Sequence, residues 1–186
     1  MEQIKIIITD FDGTLVDTKY ANSLAYVDAC KQNNISLTID QYNKFFDLGL
    51  CFSELCDMLN VPNDKRIQLK ESKKNIYPQY FKYIKLNDAL LLLLQEFKKE
   101  GLTICIGTTA SKDNVYNILK YFNILDIFDY IVTGDDVMLG KPNPEVYYKI
   151  LKQFNVTSNE ALIFEDSISG IQAANNANVK YIKISL

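Results

Sequence analysis

Five short apolar runs mark the chain: Ile4–Thr9, Leu102–Gly107, Tyr130–Thr133, Ala161–Phe164 and Val179–Ile184. They are near-continuous rather than alternating, the pattern of strands buried on both faces. Between the later runs, apolar positions recur at helical spacing. Asn87–Lys99 gathers Ala89, Leu90, Leu93, Leu94 and Phe97 on one face, and Gly101 follows as a C-terminal cap. Asp113–Phe122 carries Val115, Ile118, Leu119 and Phe122. Pro144–Phe154 opens on a proline suited to a first turn, and Ser167–Asn176 leads into the last run. Strands alternating with helices predict an α/β fold, a doubly wound parallel sheet.

One stretch breaks the alternation. About 70 residues separate the first strand from Asn87, too many for a plain loop. Tyr20–Gln32, Thr38–Phe46, Phe52–Leu59 and Asp64–Ile84 read as helices, with Asp40 suited to cap the second and Pro62 and Pro78 as punctuation. The sequence thus predicts an α/β core of residues 1–16 and 86–186, with a helical subdomain of residues 17–85 inserted after the first strand. The insertion holds ten Lys/Arg against eight acids, whereas the whole chain has net charge −3. A basic insertion beside an acidic core suits an anionic ligand held with a cation.

Composition removes several functions. The 186 residues contain no His, which excludes a Ser-His-Asp or Cys-His pair, a His-ligated zinc and an imidazole acid or base. The lysine pairs Lys73-Lys74 and Lys98-Lys99 read as solvated helix faces, and no basic stripe predicts nucleic acid as a partner. No run approaches a membrane span, and the N-terminal apolar run is too short for a signal peptide. Cys30, Cys51, Cys56 and Cys105 lack CxxC spacing and read as small buried residues, so a cytoplasmic location is expected.

The strand ends concentrate polar groups. The first ends in Asp10-Phe11-Asp12-Gly13, the second in Thr108-Thr109, the third in Asp135-Asp136 and the fourth in Glu165-Asp166. Open α/β sheets bind ligands at this edge. Clustered acids there call for a cation, and with no His or thiolate pair available, Mg²⁺ fits best. Asp10 and Asp12 lie two apart on an extended segment and share a side, while Gly13 permits a sharp turn. Asp135 and Asp136 suit either a helix cap or the edge of a metal shell. Lys141, before Pro142-Asn143-Pro144, fits a rigid turn with a solvated lysine as well as a functional cation. The segment Gly134–Lys141 departs from a P-loop in spacing, with Pro142 where a Ser/Thr would hold Mg²⁺.

These residues together resemble a family. Asp10-Phe11-Asp12-Gly13-Thr14-Leu15-Val16-Asp17-Thr18, Thr108, Gly140-Lys141-Pro142-Asn143-Pro144-Glu145 and Phe164-Glu165-Asp166-Ser167-Ile168-Ser169-Gly170 are similar, in order, to the four motifs of the haloacid dehalogenase (HAD) superfamily of phosphohydrolases. The subclass resembled is the phosphoglycolate phosphatase and beta-phosphoglucomutase type, with a Rossmann-like core and a small helical cap after the first strand. The resemblance implies a phosphatase acting on a small phosphorylated metabolite through an aspartyl-phosphate. It implies Asp10 as nucleophile and Asp12 as general acid and base. Mg²⁺ would be held by Asp10, the Asp12 carbonyl and Asp166, with Glu165 nearby or acting through water. Thr108 and Lys141 would hold the phosphoryl oxygens, and Thr109 takes the place of Thr108 if the strand slips by one. Where mutase members carry a His past the first motif, this chain has Asn22, which favours hydrolysis over a sugar phosphomutase. Asp12 separates the chain from members that dehalogenate. A phosphorylation-regulated signalling module is the reading from another class. It would place two acids side by side after the first strand and would lack so long an insertion. Arg66, the sole arginine, is read as a surface residue outside the site.

Overall fold

The computed structural model describes residues 3–48, 52–184 and 186; Cys51 lies outside them. In chain order the elements begin with β1 (Ile6–Thr9), β2 (Val16–Asp17), α1 (Lys19–Gln32), α2 (Ile39–Asp47), α3 (Phe52–Met58) and α4 (Asn63–Ile76). There follow β3 (Lys85–Leu86), α5 (Asp88–Lys99), β4 (Thr103–Gly107), α6 (Lys112–Tyr121), β5 (Tyr130–Val132), α7 (Glu145–Phe154), β6 (Ala161–Glu165), α8 (Ile168–Asn176) and β7 (Lys180–Lys183). The chain divides into two compact units, Met1–Asp17 with Lys85–Leu186, and Thr18–Ile84.

The first unit is a parallel five-stranded sheet in the order β5-β4-β1-β6-β7. After β1 the chain adds β4 and β5 on one side, then β6 and β7 on the other. The order therefore reverses between β1 and β6, and ligands of open α/β sheets bind at the strands' carboxyl ends at such a point. The register pairs Thr9 with Ile106 on β4 and with Phe164 on β6. Ile6 and Ile8 of β1 join Ile163, Val146, Tyr147, Ile150 and Ala173 in one buried cluster, so α7 and α8 pack on that face of the sheet. Gly101, at φ +85°, ends α5 in the left-handed conformation. β2 and β3 form a separate antiparallel ribbon, Val16 opposite Leu86 and Asp17 opposite Lys85.

Several details differ from the sequence reading. β7 is exposed at all four residues, because it is the edge strand of the sheet among the described residues, rather than buried on both faces. The long helix expected over Asp64–Ile84 changes at its proline: α4 ends at Ile76 and Tyr77–Tyr83 tightens into a 3₁₀ helix with Pro78 in its first turn. α2 is capped by Thr38, whose hydroxyl accepts from Gln41 N–H while Gln41 Oε1 accepts from Thr38 N–H; Asp40 merely occupies the first turn. Lys73 is buried, not solvated, with Nζ 3.6 Å from the centroid of the Tyr77 ring. Lys98 is likewise engaged, donating to Ile127 O at 2.7 Å and to Asp129 Oδ1 at 2.9 Å. Cys30, Cys56 and Cys105 are buried free thiols. Arg66 ties down its own unit, its Nε donating to Val61 O and its guanidinium pairing with Asp57. Among the described residues no helix is long and apolar enough to cross a membrane.

Candidate active site

The carboxyl ends of β1 and β6 hold the acids. Asp10 follows β1 directly, and its N–H extends the ladder by donating to Phe164 O at 2.9 Å. That bond sets the end of β1 beside Glu165. The chain then folds back within six residues: Leu15 and Val16 N–H both donate to Phe11 O, and Gly13 N–H donates to Val16 O. Gly13 makes the turn possible at φ +88°. It also leaves room for Asp166, since a Cβ there would lie 2.2 Å from Asp166 Oδ2.

Lys141 Nζ lies 2.5 Å from Asp10 Oδ1 and 2.6 Å from Glu165 Oε1, with its side chain only 4% exposed. Burial opposes the lysine's charge, but the Asp10, Tyr147 and Glu165 groups outweigh it and hold the ammonium above its usual range. Burial also pushes the Asp10 carboxyl up, to about 8, against the pull of Lys141. Glu165 is fully buried. Its second oxygen accepts from Ser167 N–H at 2.9 Å and from the Ser167 hydroxyl at 3.0 Å. Tyr147 approaches Glu165 Oε1 with its hydroxyl at 3.4 Å, and its ring centroid lies 5.2 Å from Lys141 Nζ. Asp166 accepts from the Thr14 hydroxyl at 3.0 Å, and burial raises its carboxyl.

The structure thus gathers four of the six residues singled out from the sequence: Asp10, Lys141, Glu165 and Asp166. Asp12 follows in the same loop, half-buried and bridged to Val16, and its charge adds to the pressure on Asp10; its carboxylate lies outside the group formed by the other three. Thr108 stands at the same sheet edge, two residues beyond the partner of Thr9. It is buried, with its N–H donating to Val132 O and its hydroxyl accepting from Ala110 N–H, whereas Thr109 is exposed. Asp135 and Asp136 are caps: Asp135 accepts from Lys112 N–H at the start of α6, and Asp136 closes a capping box with Thr133.

The sequence signature of the haloacid dehalogenase-like hydrolases matches residues 7–184. The chain belongs to this family. The phosphorylated carbohydrates phosphatase of Thermotoga maritima is 26% identical over 183 residues, 96% of this chain and 84% of that protein. The pyrophosphatase PpaX of Bacillus cereus is 26% identical over 185 residues, 98% of this chain and 84% of the relative. Among solved structures, CbbY from Rhodobacter sphaeroides in complex with phosphate shares the fold, with a TM-score of 0.88 at 24% identity over 99% of this chain and 87% of that one.

In this HAD chain, Asp10, Glu165 and Asp166 each offer a carboxylate oxygen within 4.8 Å of the others. One ammonium faces these three acids, so the group keeps an excess of negative charge in a largely buried place. An all-oxygen donor set with that charge fits a hard divalent cation. Sequence reasoning assigned no role to Thr14, Tyr147, Ser167 or Gly170. Their signal was position alone: each lies within six residues of an assigned acid or lysine, but their partners are set by the fold.

Proposed function

We propose that the chain is a Mg²⁺-dependent phosphatase that hydrolyses a small phosphorylated metabolite through an aspartyl-phosphate at Asp10. The observation that carries this reading is the buried Asp10 carboxylate at the end of the central strand, 2.5 Å from Lys141 Nζ and grouped with Glu165 and Asp166. Relatives named for phosphorylated carbohydrates and for pyrophosphate support the substrate class.

Asp10, the Asp12 carbonyl and Asp166 would hold Mg²⁺, with Glu165 beside them. When bound, the metal supplies positive charge that lets an anionic carboxylate approach an anionic phosphoryl group. An Asp10 oxygen forms the bond to phosphorus as the ester P–O bond breaks, and Asp12 gives its proton to the leaving oxygen. Asp12 then takes a proton from water as the water oxygen bonds to phosphorus. The P–O bond to Asp10 breaks, releasing inorganic phosphate. Lys141 and Thr108 neutralise and orient the phosphoryl oxygens in both steps.

The test is release of inorganic phosphate from an aryl phosphate by the wild-type protein and by Asp10→Asn, each with Mg²⁺ and with EDTA. The reading requires turnover by the wild type in Mg²⁺ only. Equal turnover by Asp10→Asn, or turnover that survives EDTA, contradicts it.

A further inference from the structure

Lys141 belongs to no helix or strand, yet its ammonium is placed against two carboxylates. Apolar packing holds the start of its loop at Val137, which lies against the core cluster. Met138 is 93% exposed and Leu139 is 59% exposed, so neither side chain anchors the segment that leads into Lys141. Beyond Val137 the fastening is polar and comes from Glu145, the first residue of α7. Its Oε2 accepts from Met138 N–H and Leu139 N–H, both at 3.0 Å, and its Oε1 accepts from Met138 N–H at 3.2 Å. One carboxylate thus joins the two ends of the stretch 138–145, with Lys141 between them. Inside this bracket Asn143 N–H donates to Gly140 O, and Asn143 Oδ1 accepts from Glu145 N–H, each at 3.0 Å. Asn176 of α8 donates to Pro142 O at 3.0 Å.

We infer that Glu145 is a positioning residue: its carboxylate brackets the Met138–Leu139 backbone and so fixes where the Lys141 ammonium meets the phosphoryl group. The inference rests on the phosphatase reading for Lys141's role. The hydrogen bonds are charge-assisted, which makes them stronger than the neutral turn bonds around them. The two N–H groups keep the Glu145 carboxyl below its usual range, as expected of a carboxylate that accepts from the main chain. Lys149 Nζ, 3.4 Å away on the next turn of α7, adds a weak ion pair. A purely structural role, an acid in the first turn of a helix, would affect stability without regard to Lys141. A positioning role acts through Lys141.

A double-mutant cycle separates the two. Turnover of an aryl phosphate in Mg²⁺ is measured for the wild type, Glu145→Ala, Lys141→Ala and the double variant. Calorimetric affinity for inorganic phosphate is measured in parallel, and circular dichroism confirms folding. Lys141→Gln replaces Lys141→Ala if the latter does not fold. Glu145→Ala is expected to lower kcat/KM about tenfold or more, as displacement of a phosphoryl-binding group does. In the Lys141→Ala background the same change should cost no more than about twofold, because coupled residues are not additive. Glu145→Gln keeps an acceptor oxygen and should restore most of the loss. Equal losses in both backgrounds, or no loss in the wild type, overturn the inference. If the wild type binds phosphate without turnover and the affinities still show the coupling, hydrolysis is wrong and the positioning stands. If it neither binds nor turns over, both fall.

Discussion

A Cβ at Gly170 would lie 1.6 Å from Glu165 Oε1. The first turn of α8 therefore reserves the space of one methyl group for the carboxylate that braces Lys141. The Ser167 hydroxyl strengthens the link, accepting from Gly170 N–H at 3.0 Å while donating to Glu165 Oε2. The helix start and the buried acid form one arrangement.

Gly170→Ala should therefore act on chemistry as well as stability. The added methyl forces Glu165 to move, and Lys141 loses one of its two partners. We expect a loss of about 1–3 kcal/mol in stability from overpacking. We also expect aryl phosphate turnover to fall by about 10²-fold, the scale of an ångström-sized misplacement. Chemical denaturation and steady-state kinetics read the two effects separately.

Thr14 acts on the other acid. Its hydroxyl is the donor to Asp166 Oδ1, and it is fully buried. Thr14→Val keeps the shape and removes the donor. If Asp166 holds Mg²⁺, the concentration of Mg²⁺ needed for half-maximal activity should rise about tenfold, as for other groups that orient metal ligands. An unchanged requirement would separate Asp166 from the metal.

Far from the site, Lys5 and Glu160 tie the approaches to β1 and β6. Lys5 Nζ lies 2.5 Å from Glu160 Oε1, and Thr157 N–H and hydroxyl donate to Glu160 Oε2. Lys5 and Thr157 together bring the Glu160 carboxyl down from 4.5 to about 2. A depressed acid favours the folded state while it is ionised there. This contribution is complete above about pH 4.5 and fades as pH falls towards 2. Glu160→Gln should melt below the wild type at neutral pH, and the two melting curves should converge in acid. Parallel curves down to pH 2 would contradict the pairing.

How far the site could be read from the chain depended on how local its determinants were. Asp10, Glu165 and Asp166 were legible because each follows a short apolar run, and a parallel sheet brings such ends to one edge. Lys141 was legible through its glycine and prolines, although a solvated lysine on a rigid turn was an equal reading until its Nζ was seen between two acids. The partners of Thr14 and Asp135 lie 152 and 23 residues away, so no local pattern could announce those bonds. Glu145 bonds to residues six and seven positions back, but across an irregular loop that has no period to read. The β2–β3 ribbon escaped notice because two residues per strand leave no alternation to detect. Lys73 misled for a different reason: a long stem and a charged head let lysine enter an aromatic pocket, which sequence polarity does not reveal.

The central claim is that Asp10 becomes phosphorylated, and acid quenching tests it most directly. Enzyme in excess is mixed with an aryl phosphate and Mg²⁺, stopped in acid within the first turnover, digested and weighed by mass spectrometry. The account predicts one phosphoryl group on the peptide that carries Asp10, lost on treatment with hydroxylamine and absent from Asp10→Asn. Product formation in the same reaction with no phosphorylated peptide, or with the group on another residue, would contradict it.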